Sequence, residues 1–200
     1  MVASTFLMSA DPTHSWHTLR GETLCQSPWL TVSRETIATP SRPQGVEWMV
    51  ASRPVAAVVA PRTPEGNYAL IRQERLPVRR EIWEFPAGQV DGEVTSESIL
   101  RTASRELGEE AALSCPGGLI PLGVLFSSPG FTNECCHLFL ADGVRAAPEL
   151  LQHDANESIH EVRFFSPEEL IRAIADGDIC DANTLACFAR LQARGLFFRP

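Results

Sequence analysis

The stretch that most limits what this chain can fold into is ASRELGEEAAL, residues 103–113, which sets Glu106, Glu109 and Glu110 among aliphatic neighbours. In an α-helix Glu106 and Glu110 fall one turn apart on a single face, with Glu109 beside them, and their repulsion opposes the helix. Leu100, Ala103, Leu107 and Ala111 recur at helical spacing and predict a buried stripe, so the carboxylates flank the stripe and do not lie wholly opposite it. Two readings are open at this point. One is a solvated charged face. The other is a cation site, because hard divalent ions such as Mg2+ prefer oxygen ligands and relieve the repulsion between carboxylates on one helical face. A place beside the core stripe favours a cleft over bulk water.

The spacing predicts this helix from near Thr95 or Ser96 to about Ala112, with Glu97 in a first turn where the helix dipole favours negative charge. Strand-like segments surround it. SPWLTVSRETIATP and VEWMVAS, separated by the Pro-rich turn TPSRPQG, predict a small N-terminal antiparallel unit. PVAAVVAP reads as a buried strand and NYALIRQERL as its neighbour. IPLGVLFSSPG, ECCHLFLADGV and EVRFFS supply further strands, while PEELIRAIADG and ANTLACFARLQARG read as two more helices. Strands intermixed with three helices predict an α+β or α/β sandwich. Residues 1 to about 14 read as weakly ordered.

At 200 residues the chain suits one domain with a small appendage, divided here as 1–55 and 56–200. A formal net charge of -8 argues against nucleic-acid backbone as the general partner. No apolar run reaches the roughly 20 residues of a membrane-spanning helix, and no basic region precedes the short apolar N-terminal stretch, so a cytoplasmic protein is expected. Six cysteines without a CxxC or a Cys/His zinc spacing read as reduced thiols, with Cys135 and Cys136 on opposite faces of a strand. His137 reads as a structural histidine among buried strand residues. Ser127 and Ser128 lack the His/Asp partners of a nucleophile.

RELGEEAAL preceded by EFPAG resembles the box of the Nudix hydrolase family at Arg105, Glu106, Leu107, Glu109, Glu110 and Leu113. Two positions depart from its pattern. Counting back from Arg105, the early glutamate falls on Glu97, but the early glycine falls on Asp91, and PAG places its glycine at Gly88. Either Glu93 or Glu97 fills the early position. The late glycine is Ala112, which a helix end tolerates if its backbone avoids positive φ. Over most of residues 25–195, LIRQERLPVRREIWEFPAG, SSPGFTNECCHLFLA, ANESIHEVRFFSPEEL and IADGDICDANTLA are similar to the ADP-ribose pyrophosphatase branch.

The resemblance implies a Nudix-type α/β/α sandwich with a mixed sheet. It implies Mg2+-dependent hydrolysis of the diphosphate of ADP-ribose or a related nucleoside diphosphate sugar, to a nucleoside monophosphate and a sugar phosphate. Two or three Mg2+ ions are implied, with Mn2+ as a substitute, on Glu106, Glu109, Glu110 and the Ala87 carbonyl, and Arg105 would orient a carboxylate. A late glutamate, Glu157 first and Glu161 second, is the candidate general base. Arg75, in the branch's Q-x-R pattern, is the first candidate for the substrate phosphates, with Arg72 nearby. Glu84 either contacts substrate or pairs with one of these arginines. Trp29 and Trp48 are candidates for stacking on the adenine or for core and dimer packing, and Phe131 lies in a selectivity loop. A homodimer is expected, its N-terminal segment contributing to the second copy's pocket. GDP-mannose or UDP-sugar hydrolysis is the alternative within the enzyme class, and a non-catalytic nucleotide-binding regulator the alternative outside it.

Overall fold

The computed structural model describes residues 16–152 and 158–198. The weak order expected for residues 1–14 and the candidate base Glu157 lie outside the described residues. The chain divides into two compact units, one built from the described residues up to Val55 with Phe126–Cys135, the other from Ala56–Leu125 with Cys136 onward.

The first unit is an antiparallel sheet of β1 (His17–Ser27), β2 (Leu30–Thr39) and β3 (Arg42–Ser52), in the order β1-β2-β3. Pairing of Ser27 with Leu30 and of Thr39 with Arg42 closes each hairpin around two residues, Pro28-Trp29 and Pro40-Ser41. Two sequence expectations change here. HTLRGETLCQS forms a strand that no period announced, because all of its residues are exposed and neither face needs to be apolar. Pro43, read as part of the turn, belongs to β3, an edge strand where a missing N–H is tolerated. The Trp48 indole N–H donates to the Gly130 carbonyl at 2.8 Å, and the Ala51 N–H donates to the Phe131 carbonyl at 2.7 Å, which tie the 126–135 loop to β3.

The second unit contains β4 (Ala56–Arg62), β5 (Tyr68–Arg75), β6 (Arg80–Glu84), β7 (Ala87–Gln89), α1 (Ser96–Ala111), β8 (Leu113–Ser114), β9 (Leu119–Phe126), β10 (Cys135–Asp142), β11 (Arg145–Ala146), β12 (Ile159–Phe165), α2 (Pro167–Ala175) and α3 (Ala182–Ala193). Its main sheet runs β12-β5-β4-β10-β9 and is mixed, since β10 pairs parallel with β4 while β12 pairs antiparallel with β5. β4 and β5 touch only at Arg62 and Tyr68, then diverge; β6 takes up the freed edge of β5 and β7 that of β4. Phe85 and Pro86 carry the chain across the opening. The fold is the expected α+β sandwich.

On one sheet face Val58, Leu70, Phe85 and Leu138 pack with Leu170 of α2 and Cys187 and Leu191 of α3. Fully burying one such aliphatic side chain stabilises by about 1.5–3 kcal/mol. α1 packs on β4, β5 and β7 through Ile99, Ala103 and Leu107. The buried stripe is therefore rotated from the expected one, with Ile99 at 0% exposure and Leu100 at 38%. That rotation turns Glu106 and Glu110 inward, to 4% and 1% exposure. Among the described residues no helix is long and apolar enough to cross a membrane, and the six cysteines are free thiols. Cys136 is buried and Cys135 half-buried, as alternation on β10 requires. His137 is buried, and desolvation lowers its pKa.

Both ends of α1 show why it stops where it does. Thr95 caps the N-terminus, its side chain accepting from the Ser98 N–H at 3.1 Å while the Ser98 hydroxyl accepts from the Thr95 N–H at 2.8 Å. At the C-terminus Ala112 adopts φ 54°, ψ 38°, the left-handed conformation that glycine takes without cost. The condition under which a helix end tolerates alanine, a backbone that avoids positive φ, is thus not met: the chain reverses so that Leu113 can pair in β8, and alanine bears the strain. We predict that Ala112→Gly stabilises the protein by about 0.5–1 kcal/mol, read as a higher urea midpoint at unchanged slope. An unchanged or lower midpoint would contradict strain at this residue.

Candidate active site

The candidate site lies where α1 meets β7. The Ala87 N–H donates to Glu110 Oε2 at 2.8 Å, which fastens the carboxylate to the backbone that leaves the sheet opening. Arg105 bridges the other two carboxylates, one guanidinium nitrogen donating to Glu106 Oε1 and another to Glu109 Oε2, each at 2.5 Å. Partial burial disfavours the Arg105 charge, but Glu106 and Glu109 outweigh it and hold its pKa above the ordinary value. Arg105 thus pairs with both carboxylates, a contact compatible with an orienting role, and its guanidinium carries only donors and no nucleophile.

Gly88 is the residue on which this approach depends. A Cβ at that position would lie 1.7 Å from Glu106 Oε1 and 2.1 Å from its carboxyl carbon, so no other residue fits without moving Glu106. This explains why the glycine stands at 88 although the family spacing points to Asp91: close approach to α1 is needed at β7. Glu93 and Glu97 are both exposed, more than two helical turns before Glu106, and neither is brought to the inward carboxylates by a described contact.

The donor set fits a hard divalent cation. Glu106 and Glu110 are nearly inaccessible, Glu109 stands beside them, and all offer oxygen. Burying this much negative charge is costly without compensation, to which the Arg105 guanidinium and the Ala87 N–H contribute and a bound cation would add. Glu106, Glu109, Glu110 and the Ala87 backbone are the residues that would hold the ion.

Half-exposed Arg75 and buried Glu84 form a second charged pair on the same sheet face. Arg75 donates through Nε to Glu84 Oε1 at 2.9 Å and through Nη2 to Oε2 at 2.8 Å, a bidentate pair. Burial opposes the Arg75 charge, yet Glu84, Glu110 and Asp181 together raise its pKa. Burial is also the largest effect on Glu84 and pushes its carboxyl up, with Arg75 acting against it. Of the two roles open to Glu84 the structure displays the pairing with an arginine. Nη1 of Arg75 takes no part in that pair, and the side chain is 42% exposed.

Arg72 and Glu161 are not brought to the carboxylates. Strand alternation turns Arg72 to the face opposite Arg75, where it pairs with Glu81 and Glu161 at 3.4 Å each and lies 5.6 Å from the Trp83 ring centroid. Trp83 packs on the core that includes α2 and α3, not on α1. In the first unit Trp29, Trp48 and Phe131 are exposed at 59%, 53% and 57%.

The NUDIX domain matches residues 52–186 of the chain. The chain belongs to the Nudix family. It is 30% identical over 145 residues to an ADP-ribose pyrophosphatase of Bacillus subtilis, covering 72% of this chain and 76% of that protein. It is 29% identical over 175 residues to an ADP-ribose pyrophosphatase of Mycobacterium tuberculosis, covering 86% of this chain and 81% of that one. A crystal structure of an ADP compounds hydrolase shares the fold, with a TM-score of 0.70 at 19% identity over 90% of this chain and 96% of that one. The chain is a Nudix pyrophosphohydrolase.

We predict that Gly88→Ala, by displacing Glu106, weakens Mn2+ binding in calorimetric titration by about tenfold or more while the protein stays folded by circular dichroism. Binding at wild-type affinity would show that the close approach at Gly88 has no bearing on a cation.

Proposed function

We propose that this Nudix hydrolase cleaves the diphosphate bond of ADP-ribose or a related nucleoside diphosphate sugar, giving AMP or another nucleoside monophosphate and a sugar phosphate. The observation that carries this reading is the pair of inward carboxylates, Glu106 and Glu110, held against Ala87–Gly88. Mg2+ bound there supplies charge neutralisation of the diphosphate and activation of water. The chain's own residues do the rest. Arg105 keeps Glu106 and Glu109 in place, and Arg75, through the Nη1 that takes no part in its pair with Glu84, contacts a substrate phosphate. Water attacks phosphorus, its oxygen joins one phosphate product, and the bridging oxygen leaves with the other. The proton is accepted by Glu157; Glu161, tied to Arg72 on the other sheet face, is set aside.

The reading is tested with a panel of nucleoside diphosphate sugars and Mg2+ in 18O-labelled water, products separated by chromatography. ADP-ribose is expected to be the best substrate, with label on a phosphate oxygen. Glu110→Gln is expected to lower turnover by about a hundredfold or more, since a neutral amide is a much poorer ligand for a hard cation. Label on the anomeric carbon would refute attack at phosphorus, and near-wild-type turnover of Glu110→Gln would refute the ligand assignment.

We also propose a homodimer formed through the N-terminal sheet. All of β1 is exposed, and Trp16, Leu19, Leu24, Trp29, Trp48 and Met49 of the first unit are exposed at 43–62%. A three-stranded sheet gains lasting stability only when an apolar face is covered. In the dimer, the segment of about residues 25–55 contributes to the second copy's substrate pocket, with Trp29 and Trp48 offered for stacking. Light scattering at micromolar concentration is expected to give twice the chain mass; a monomer would contradict the dimer and the shared pocket together.

A further inference from the structure

Four successive residues across the sheet opening are each pinned by a different element. Glu84 is held by Arg75 of β5. The Phe85 N–H donates to Thr184 Oγ1 of α3 at 2.9 Å. The Pro86 carbonyl accepts from the Val59 N–H of β4 at 2.9 Å. The Ala87 N–H donates to Glu110 of α1 at 2.8 Å. Three of these pins come from the sheet and from α1; the fourth comes from a helix on the far face.

That fourth pin is built with more than one bond. Thr184 is 0% exposed. Its hydroxyl donates to Asp181 Oδ2 at 2.8 Å, and its own N–H donates to the same oxygen at 2.8 Å. With the hydroxyl proton committed to the carboxylate, the oxygen's lone pairs are turned to the Phe85 N–H, and the charged acceptor strengthens the chain of bonds. A helix start needs only the backbone bond from Thr184 to Asp181. The hydroxyl bond onward to Phe85 adds nothing to α3; its effect falls on the segment that carries Ala87.

We propose that Thr184, oriented by Asp181, is a positioning residue for the metal site: it holds the Glu84–Ala87 segment from the α3 side and so fixes where the Ala87 backbone stands against Glu110. This rests on the reading of Glu106, Glu109, Glu110 and Ala87 as cation ligands. A valine at 184 keeps the shape but leaves the Phe85 N–H buried without an acceptor, which displaces the segment or admits water. A serine keeps both bonds.

The test compares the full-length wild type with Thr184→Val, Thr184→Ser and Cys187→Ala, the last truncating a fully buried α3 side chain that supplies none of the four hydrogen bonds. Mn2+ affinity is measured by calorimetry without substrate, alongside thermal melting. Thr184→Val is expected to bind Mn2+ about tenfold more weakly or worse, the effect typical of residues that hold a metal ligand in place. Thr184→Ser is expected to stay close to wild type, and Cys187→Ala to melt earlier with unchanged Mn2+ affinity. In turnover assays Thr184→Val should need more Mg2+ for half-maximal rate, with a smaller loss at saturation. Wild-type Mn2+ affinity in folded Thr184→Val overturns the proposal, as does a loss that follows melting temperature across all three variants. If Thr184→Val does not fold, Asp181→Asn decides: several-fold weaker Mn2+ binding supports the role, and unchanged binding overturns it. A wild type that binds no Mn2+ refutes the metal-site reading itself, and this inference with it.

Discussion

The bond from the Ala87 N–H to Glu110 joins α1 to the opening in the sheet, and the other features of the candidate site are arranged around it. For α1 to come this close, β7 must present a residue without a side chain, which Gly88 does. For the helix to stay there, Ile99, Ala103 and Leu107 must bury against β4, β5 and β7. The same packing forces Glu106 and Glu110 inward, so hydrophobic burial supplies the free energy that brings like charges together. Arg105 offsets part of the repulsion, and a divalent cation bound there would offset more.

A split sheet is what makes room for this arrangement. Were β4 and β5 paired along their full length, the Phe85–Pro86 crossing would have no place and Ala87 would not reach α1. Instead β6 pairs with the freed edge of β5 and β7 with that of β4. The segment across it is short and pinned from β5, α3, β4 and α1. Such support suits a site that must hold oxygen ligands in fixed geometry before an ion arrives.

Much of this was legible in the residues. The helix from Ser96 follows from its period and cap signals, α2 from the run that Pro167 opens and Gly177 closes, and α3 from ANTLACFARLQARG. The box residues Arg105, Glu106, Glu109 and Glu110 do come together. What was not legible depends on register and on distant contacts. A one-residue rotation of the stripe exchanged Leu100 for Ile99. Alternation on β5 sends Arg72 to the face away from Arg75, and a bulge between Ile159 and Glu161 of β12 pairs Glu161 with it. β1 has no apolar face to announce it. Nothing near Thr184 in sequence marks it, because its partner Phe85 is ninety-nine residues away.

The central claim is that a divalent cation compensates the buried carboxylates of α1, and thermal melting with and without Mg2+ tests it most directly. A ligand that binds only the folded state raises the melting temperature with its concentration. Wild type is therefore expected to melt progressively higher as Mg2+ is added. Glu110→Gln, with one negative charge removed, is expected to melt at or above metal-free wild type and to respond little to Mg2+. A wild type indifferent to Mg2+, or a Glu110→Gln variant stabilised by it to the same degree, would contradict the claim.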